Sequence, residues 1–97
     1  KAEYENIKLE TSNILFIEGL KDYLKIHLKS ESKAVLTLSN FNEIQQKLPS
    51  NFLRVHRSFL VNIDAISAYR KGKLIIGASR ISIGETYKKN VFETLGL

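Results

Sequence analysis

Two apolar blocks flank a polar, cationic interruption in the stretch Phe52-Leu53-Arg54-Val55-His56-Arg57-Ser58-Phe59-Leu60-Val61-Asn62-Ile63. Phe52, Leu53 and Val55 precede the interruption, and Phe59, Leu60, Val61 and Ile63 follow it. The first block is too short for a helix and comes after the breaker Pro49-Ser50-Asn51, so it reads as a buried strand. A core strand would continue apolar where His56, Arg57 and Ser58 stand. Burial on both sides therefore anchors a polar tip, while the tip itself faces solvent or a ligand.

The rest of the chain supplies short strands at regular spacing. Residues 1–10 are charged, and Ile7 and Leu9 alternate around Lys8, which suggests a short half-buried strand. Thr11-Ser12-Asn13 is a turn cluster before a four-residue apolar strand at 14–17. Glu18-Gly19 is expected to end that strand, with Gly19 supplying a backbone conformation that a Cβ would resist. Residues 19–22 then form a tip. Residues 23–28 alternate, with Leu24, Ile26 and Leu28 inward, and His27 reads as a surface strand residue. Residues 29–33 are a hairpin connection, and 34–38 return as a strand.

Asn40 with Glu43 three residues on is a capping signal, and Phe41, Ile44 and Leu48 form one apolar stripe. Pro49 stops that helix, predicted at about 41–48. Lys71-Gly72 turns the chain into a strand at 74–76, and Gly77-Ala78-Ser79 turns it again into a strand at 80–83. Tyr87, Val91 and Leu95 place a short C-terminal helix. The fold class is mainly β, antiparallel, with these two short helices.

Ninety-seven residues make one domain, 1–97, with a single modest core. No apolar run approaches the roughly 20 residues of a membrane span, no signal-peptide pattern is present, and there is no cysteine. These features fit a cytoplasmic protein. The chain opens on Lys1 with no Met, so it is expected to be an excised piece of something longer. The net charge of +5 is unevenly placed: seven lysines and seven acids cancel up to Asn51, and eight Lys/Arg face three acids from Phe52 on. That asymmetry hints at a polyanionic partner.

An enzyme reading lacks an inventory. Only His27 and His56 could serve as bases, and no carboxylate follows at a spacing that would orient His56 toward Ser58. Two histidines in separate segments make a poor metal site, and no cofactor or small-molecule substrate is indicated. The alternative to a duplex reader is a small β-barrel-like module that binds RNA or a protein partner. Phe16, Phe41, Phe52 and Phe59 lie in apolar runs, which leaves Tyr23 and Tyr69 as stacking candidates. That distribution favours basic side chains on loops reaching into a duplex.

Arg54-Val55-His56-Arg57-Ser58-Phe59-Leu60-Val61-Asn62 resembles the signature of the LytTR-type DNA-binding domain, the output module of many bacterial response regulators. The resemblance extends to Ile14-Leu15-Phe16-Ile17-Glu18-Gly19 with Asp22-Tyr23, and to Ile81-Ser82-Ile83-Gly84. It implies an elongated sandwich of three small antiparallel sheets, and sequence-specific contact with double-stranded DNA through three loops. The first loop matches at Lys21, Asp22 and Tyr23. The second matches at His56, Arg57 and Ser58, with Arg57 in the position that reaches toward the minor groove and His56 either a contact or a structural hydrogen-bonding residue. Many family members place Ser-Arg after the motif matched by residues 81–83, whereas this chain has Gly84-Glu85. Either Thr86, Lys88 and Lys89 take over backbone anchoring, or the third contact is absent; Glu85 could accept from a cytosine amino group. The resemblance also implies a phosphorylatable receiver before the domain, and a second copy on tandem DNA sites.

Overall fold

Eight strands form two antiparallel sheets in the computed structural model, which describes residues 8–97. The larger sheet contains β1 (Ile14–Leu20), β2 (Tyr23–Leu28), β3 (Val35–Thr37), β4 (Phe52–His56) and β5 (Phe59–Asn62), in the order β3-β2-β1-β5-β4. The smaller contains β6 (Ala68–Arg70), β7 (Lys73–Ile76) and β8 (Ser79–Ser82) in sequential order. Helix α1 (Phe41–Gln45) connects β3 to β4, and α2 (Lys88–Leu95) closes the chain. The molecule is elongated, 37 × 25 × 25 Å.

The expected mainly β sandwich is present, with two sheets among the described residues where the resemblance implied three. Lys8, Leu9 and Glu10 have no regular structure, and Ile7 lies outside the described residues, as does most of the strand expected there. β1 continues through Leu20, so the first tip narrows to Lys21-Asp22. Ile63–Ala65 form a 3-10 turn between β5 and β6. That turn explains why the apolar pattern slips by one step between Ile63 and Ala68.

The larger sheet is buried on both faces. One face, with Ile14, Ile17, Leu24, Ile26, Leu28 and Leu60, packs against Phe41 of α1. The other, with Phe16, Leu53, Val55 and Val61, packs against Leu74, Ile76, Ile81 and Ile83 of the smaller sheet region and Val91 of α2. Strand residues alternate faces, yet Ile14 and Ile17 share one. An irregularity between Ile14 and Phe16, where the pairing with β2 shifts register, inserts the extra residue that permits this. The uninterrupted run Leu60-Val61 supplies one residue to each core.

Asn40 caps α1: its Oδ1 accepts from the Glu43 N–H at 2.9 Å, and Glu43 Oε1 in turn lies 3.4 Å from Asn40 Nδ2. The helix is shorter than its stripe suggested. Phe41 is buried, while Ile44 and Leu48 are half-buried, and Leu48 falls after the helical turn has ended. Gly19 is also needed for a different reason than conformational freedom. It does not have a positive φ, and a Cβ there would stand 2.6 Å from Cε2 of Phe41. The ring of α1 lies directly on the β1 backbone.

Asn62, at the end of the central motif, is 2% exposed and fully engaged. Its Nδ2 donates to the Ile14 carbonyl at 2.9 Å, and its Oδ1 accepts from Asn51 Nδ2 and the Asp64 N–H. A buried amide left unpaired costs about 1–3 kcal/mol. Here it ties β5 to the start of β1 at the end opposite the polar tip.

Candidate nucleic-acid interface

Three polar turns lie side by side at one end of the larger sheet. The first is Lys21-Asp22, joining β1 to β2, with both residues exposed and Tyr23 half-buried behind them. The second is Arg57-Ser58, joining β4 to β5. The third runs from Gly84 through a 3-10 turn at Glu85–Tyr87 into α2. Backbone hydrogen bonds set their order: the Gly19 N–H donates to the Ser58 carbonyl and the Gly84 N–H to the Val55 carbonyl, each at 2.8 Å. The Arg57 turn is therefore the middle of the three.

The middle turn is held from beneath by Arg54. Its Nε donates to the His56 carbonyl at 2.9 Å, and its Nη2 donates to the Arg57 carbonyl at 2.5 Å. The guanidinium lies 4.1 Å from the centroid of the Phe41 ring and 5.8 Å from that of Tyr87. Such cation–π contacts stabilise by about 0.5–2 kcal/mol, more when desolvated. Arg54 thus spans from α1, behind the first turn, to the third turn. It has no carboxylate partner among the described residues, so its charge adds to the positive field at the tip.

His56 contributes within the turn. Its Nδ1 accepts from the Ser58 N–H at 3.0 Å, so the proton of the neutral ring sits on Nε2. The ring packs against Phe59 at 5.4 Å between centroids, and Gly84 approaches it closely: a Cβ on Gly84 would be 3.6 Å from His56 Cδ2. Arg57 itself is exposed and makes no ion pair among the described residues. Asp64 lies beyond the far end of β5 from this turn, where it accepts from Asn51 at 2.9 Å.

The third turn carries its own ion pair. Glu85 Oε1 is 2.6 Å from Lys88 Nζ. This hydrogen-bonded contact lowers the Glu85 pKa below the usual carboxylate value and raises that of Lys88. Thr86 and Lys89 are exposed beside the pair. His27, read as a surface strand residue, lies away from these turns, its ring stacked on Phe16 at 4.2 Å.

Of the residues singled out by sequence, His56, Arg57, Ser58, Glu85, Thr86 and Lys88 thus gather around the middle and third turns. Lys21 and Asp22 flank them on the α1 side. Arg54 was missed: it shares with Phe52 the β4 face that packs toward α1, opposite Leu53 and Val55, and the pairing with β5 shifts register between it and His56. Its place just before a polar tip is the one local signal, and that alone does not separate it from an ordinary strand cation. Tyr69, a stacking candidate, instead packs edge-on against Phe92 at 5.7 Å.

A family model for the LytTr DNA-binding domain matches residues 4–96. Among solved structures, the chain is similar to the LytTr DNA-binding domain of a protein described as a methyl-accepting/DNA response regulator from Bacillus cereus. The TM-score is 0.80 at 22% identity, over 94% of this chain and 88% of that one. No curated protein matches. With nearly its whole length covered by the family model, the chain belongs to the LytTR family of DNA-binding domains.

Proposed function

We propose that this LytTR domain binds duplex DNA sequence-specifically, with Arg57 as its central reading side chain. The observation that carries the reading is the double donation from Arg54 to the carbonyls of His56 and Arg57. A turn fixed in this way presents a free guanidinium whose backbone is already ordered, so binding costs little conformational entropy. A weakly hydrated, planar guanidinium suits insertion into a narrow, electronegative minor groove.

The flanking turns supply the remaining contacts. Lys21 on one side and Lys88 and Lys89 on the other lie where phosphates of a duplex lying across the three turns would pass. Ser58, Thr86 and Tyr23 offer hydroxyl groups to the same backbone, and His56 offers its Nε2–H. Asp22 and Glu85 can only accept, and suit the amino group of a base. The domain serves as the output module of a bacterial transcriptional regulator acting in the cytoplasm. A regulatory segment before residue 1 controls it, and a second copy occupies a tandem site.

Selection of bound sequences from random duplexes, followed by gel shift, tests this reading. Recovery of a common motif bound more tightly than random duplex supports it. Tighter binding to single-stranded RNA than to any duplex would replace it with the RNA-binding alternative.

A further inference from the structure

Between Ala65 and Gly84 the chain has no Asp or Glu, yet it carries Arg70, Lys71, Lys73 and Arg80. The fold turns this segment into the smaller sheet. Its register sets Arg70 opposite Lys73 and Lys73 opposite Ser82, so these three side chains form one row on one face. Arg80, two residues from Ser82, stands on the same face in the next row, opposite Ile75. The other face holds Leu74 and Ile81, which are buried. The sheet is therefore apolar within and cationic without.

Like charges placed directly opposite on a sheet are destabilising. Among the described residues, the relief for this pair is the hydrogen bond from Lys73 Nζ to Ser82 Oγ at 2.9 Å. None of the four cations has a carboxylate partner among the described residues. Lys71 sits at the apex of the β6–β7 turn with φ 51, followed by Gly72 at φ 81, and is exposed. Two successive left-handed residues form the tight hairpin turn that projects this lysine outward.

The position of the row decides what it faces. β8 leads directly into Ile83 and Gly84, and the Gly84 N–H is bonded to Val55 beside the middle turn. Since Lys73 pairs with Ser82, the β6–β7 turn lies at the same end of the molecule as the third turn.

We propose that the outer face of the smaller sheet is a fourth DNA-contacting surface, which grips the sugar–phosphate backbone flanking the site on the third-turn side. Arg70, Lys71 and Lys73 hold the nearer phosphates, and Arg80 extends the track away from the tip. This rests on the duplex-binding reading above and lengthens the footprint on one side only.

The test measures binding of the whole chain across a salt series, on a selected site with long flanks and on the same site trimmed on the third-turn side. The variant Arg70→Ala/Lys71→Ala/Lys73→Ala is compared with wild type. A second variant, Arg70→Gln/Lys71→Gln, keeps the Lys73–Ser82 bond and serves if the first does not fold. On the long duplex each lost phosphate contact should flatten the log–log salt slope by about 0.9. The triple variant should therefore lose between two and three units of slope. On the trimmed duplex wild type and variant should converge. Unchanged slope and affinity on the long duplex, with wild type binding normally, would overturn the fourth surface alone. A wild type that binds no duplex would overturn both this inference and the function it rests on. Equal loss on long and trimmed duplexes would also overturn it, because the cations would then act within the core site.

Discussion

Arg54 Nη2 donates to the carbonyl oxygen of Arg57 at 2.5 Å, so one arginine fixes the backbone that presents the other. The two have opposite surroundings. Arg54 is half-buried between Phe41 and Tyr87, whereas Arg57 is exposed. Arg54→Ala should reduce specific DNA affinity roughly tenfold or more although Arg57 is still present, the scale of about one base-level contact. Amide hydrogen exchange at Arg57 and Ser58 should speed up in the same variant. Arg54→Lys should recover little, because an ammonium cannot fork to two carbonyls while lying flat on a ring. Unchanged affinity with accelerated exchange would separate turn rigidity from recognition.

The contact between Gly19 and Phe41 gives an independent test of the same support. A Cβ at position 19 would stand 2.6 Å and 2.9 Å from two ring carbons, so the ring must move. Gly19→Ala should destabilise by about 1–3 kcal/mol, the usual range for overpacking. Moving the ring also disturbs the seat of Arg54, so DNA affinity measured well below the melting temperature should fall too. Gly19→Ala/Phe41→Leu should recover part of the lost stability in thermal melts. Full tolerance of Gly19→Ala would show that the ring has room to yield.

Within α1, Phe41 and Leu48 should differ in weight. Phe41 is 9% exposed and seals the core under β1 and β2, while Leu48 is half-buried beyond the end of the helix. Phe41→Ala should cost about 3–5 kcal/mol in denaturant unfolding. Leu48→Ala should cost less than about 2 kcal/mol, since the penalty follows the area removed from water. Equal costs would mean that the whole stripe is buried in solution.

Glu85 partly neutralises the lysine beside it, which makes its removal informative. The hydrogen bond to Lys88 lowers the Glu85 pKa, so the pair persists above the ordinary carboxylate range and is lost as pH falls through the lowered value. The raised pKa of Lys88 means that the pair is lost at the alkaline end as pH rises through that value. Both groups are exposed, so salt screens the pair and its effect on stability is small. Glu85→Gln should free Lys88 for phosphate, tighten duplex binding and steepen the salt slope. Weaker binding with a change in the selected sequence would instead identify Glu85 as an acceptor for a base amino group.

The strands of the central hairpin, the Asn40 cap and the position of the Arg57 turn were legible because each rests on neighbouring residues. Alternation marks the faces of 23–28, and a polar interruption between apolar blocks marks the turn. What sequence did not disclose depends on contacts across the fold. Gly19 needs to be a glycine because of a ring 22 positions later, and nothing near it in the chain announces that ring. Arg54 reads as an ordinary strand cation until Phe41 and Tyr87 close around it. The charge excess of the second half was visible, but its gathering on one sheet face needed the β6–β7–β8 register.

The central claim is that Arg57, fixed at its backbone and free at its side chain, reads the duplex. The measurement is the affinity of Arg57→Ala for a selected site and for random duplex, taken alongside its thermal melt. The account predicts a nearly unchanged melting temperature and a loss of about 1–3 kcal/mol on the selected site. The loss should be smaller on random duplex, greatest at A·T-rich contacted steps, and only partly restored by Arg57→Lys. Equal losses on selected and random duplexes, or a large fall in melting temperature, would contradict it.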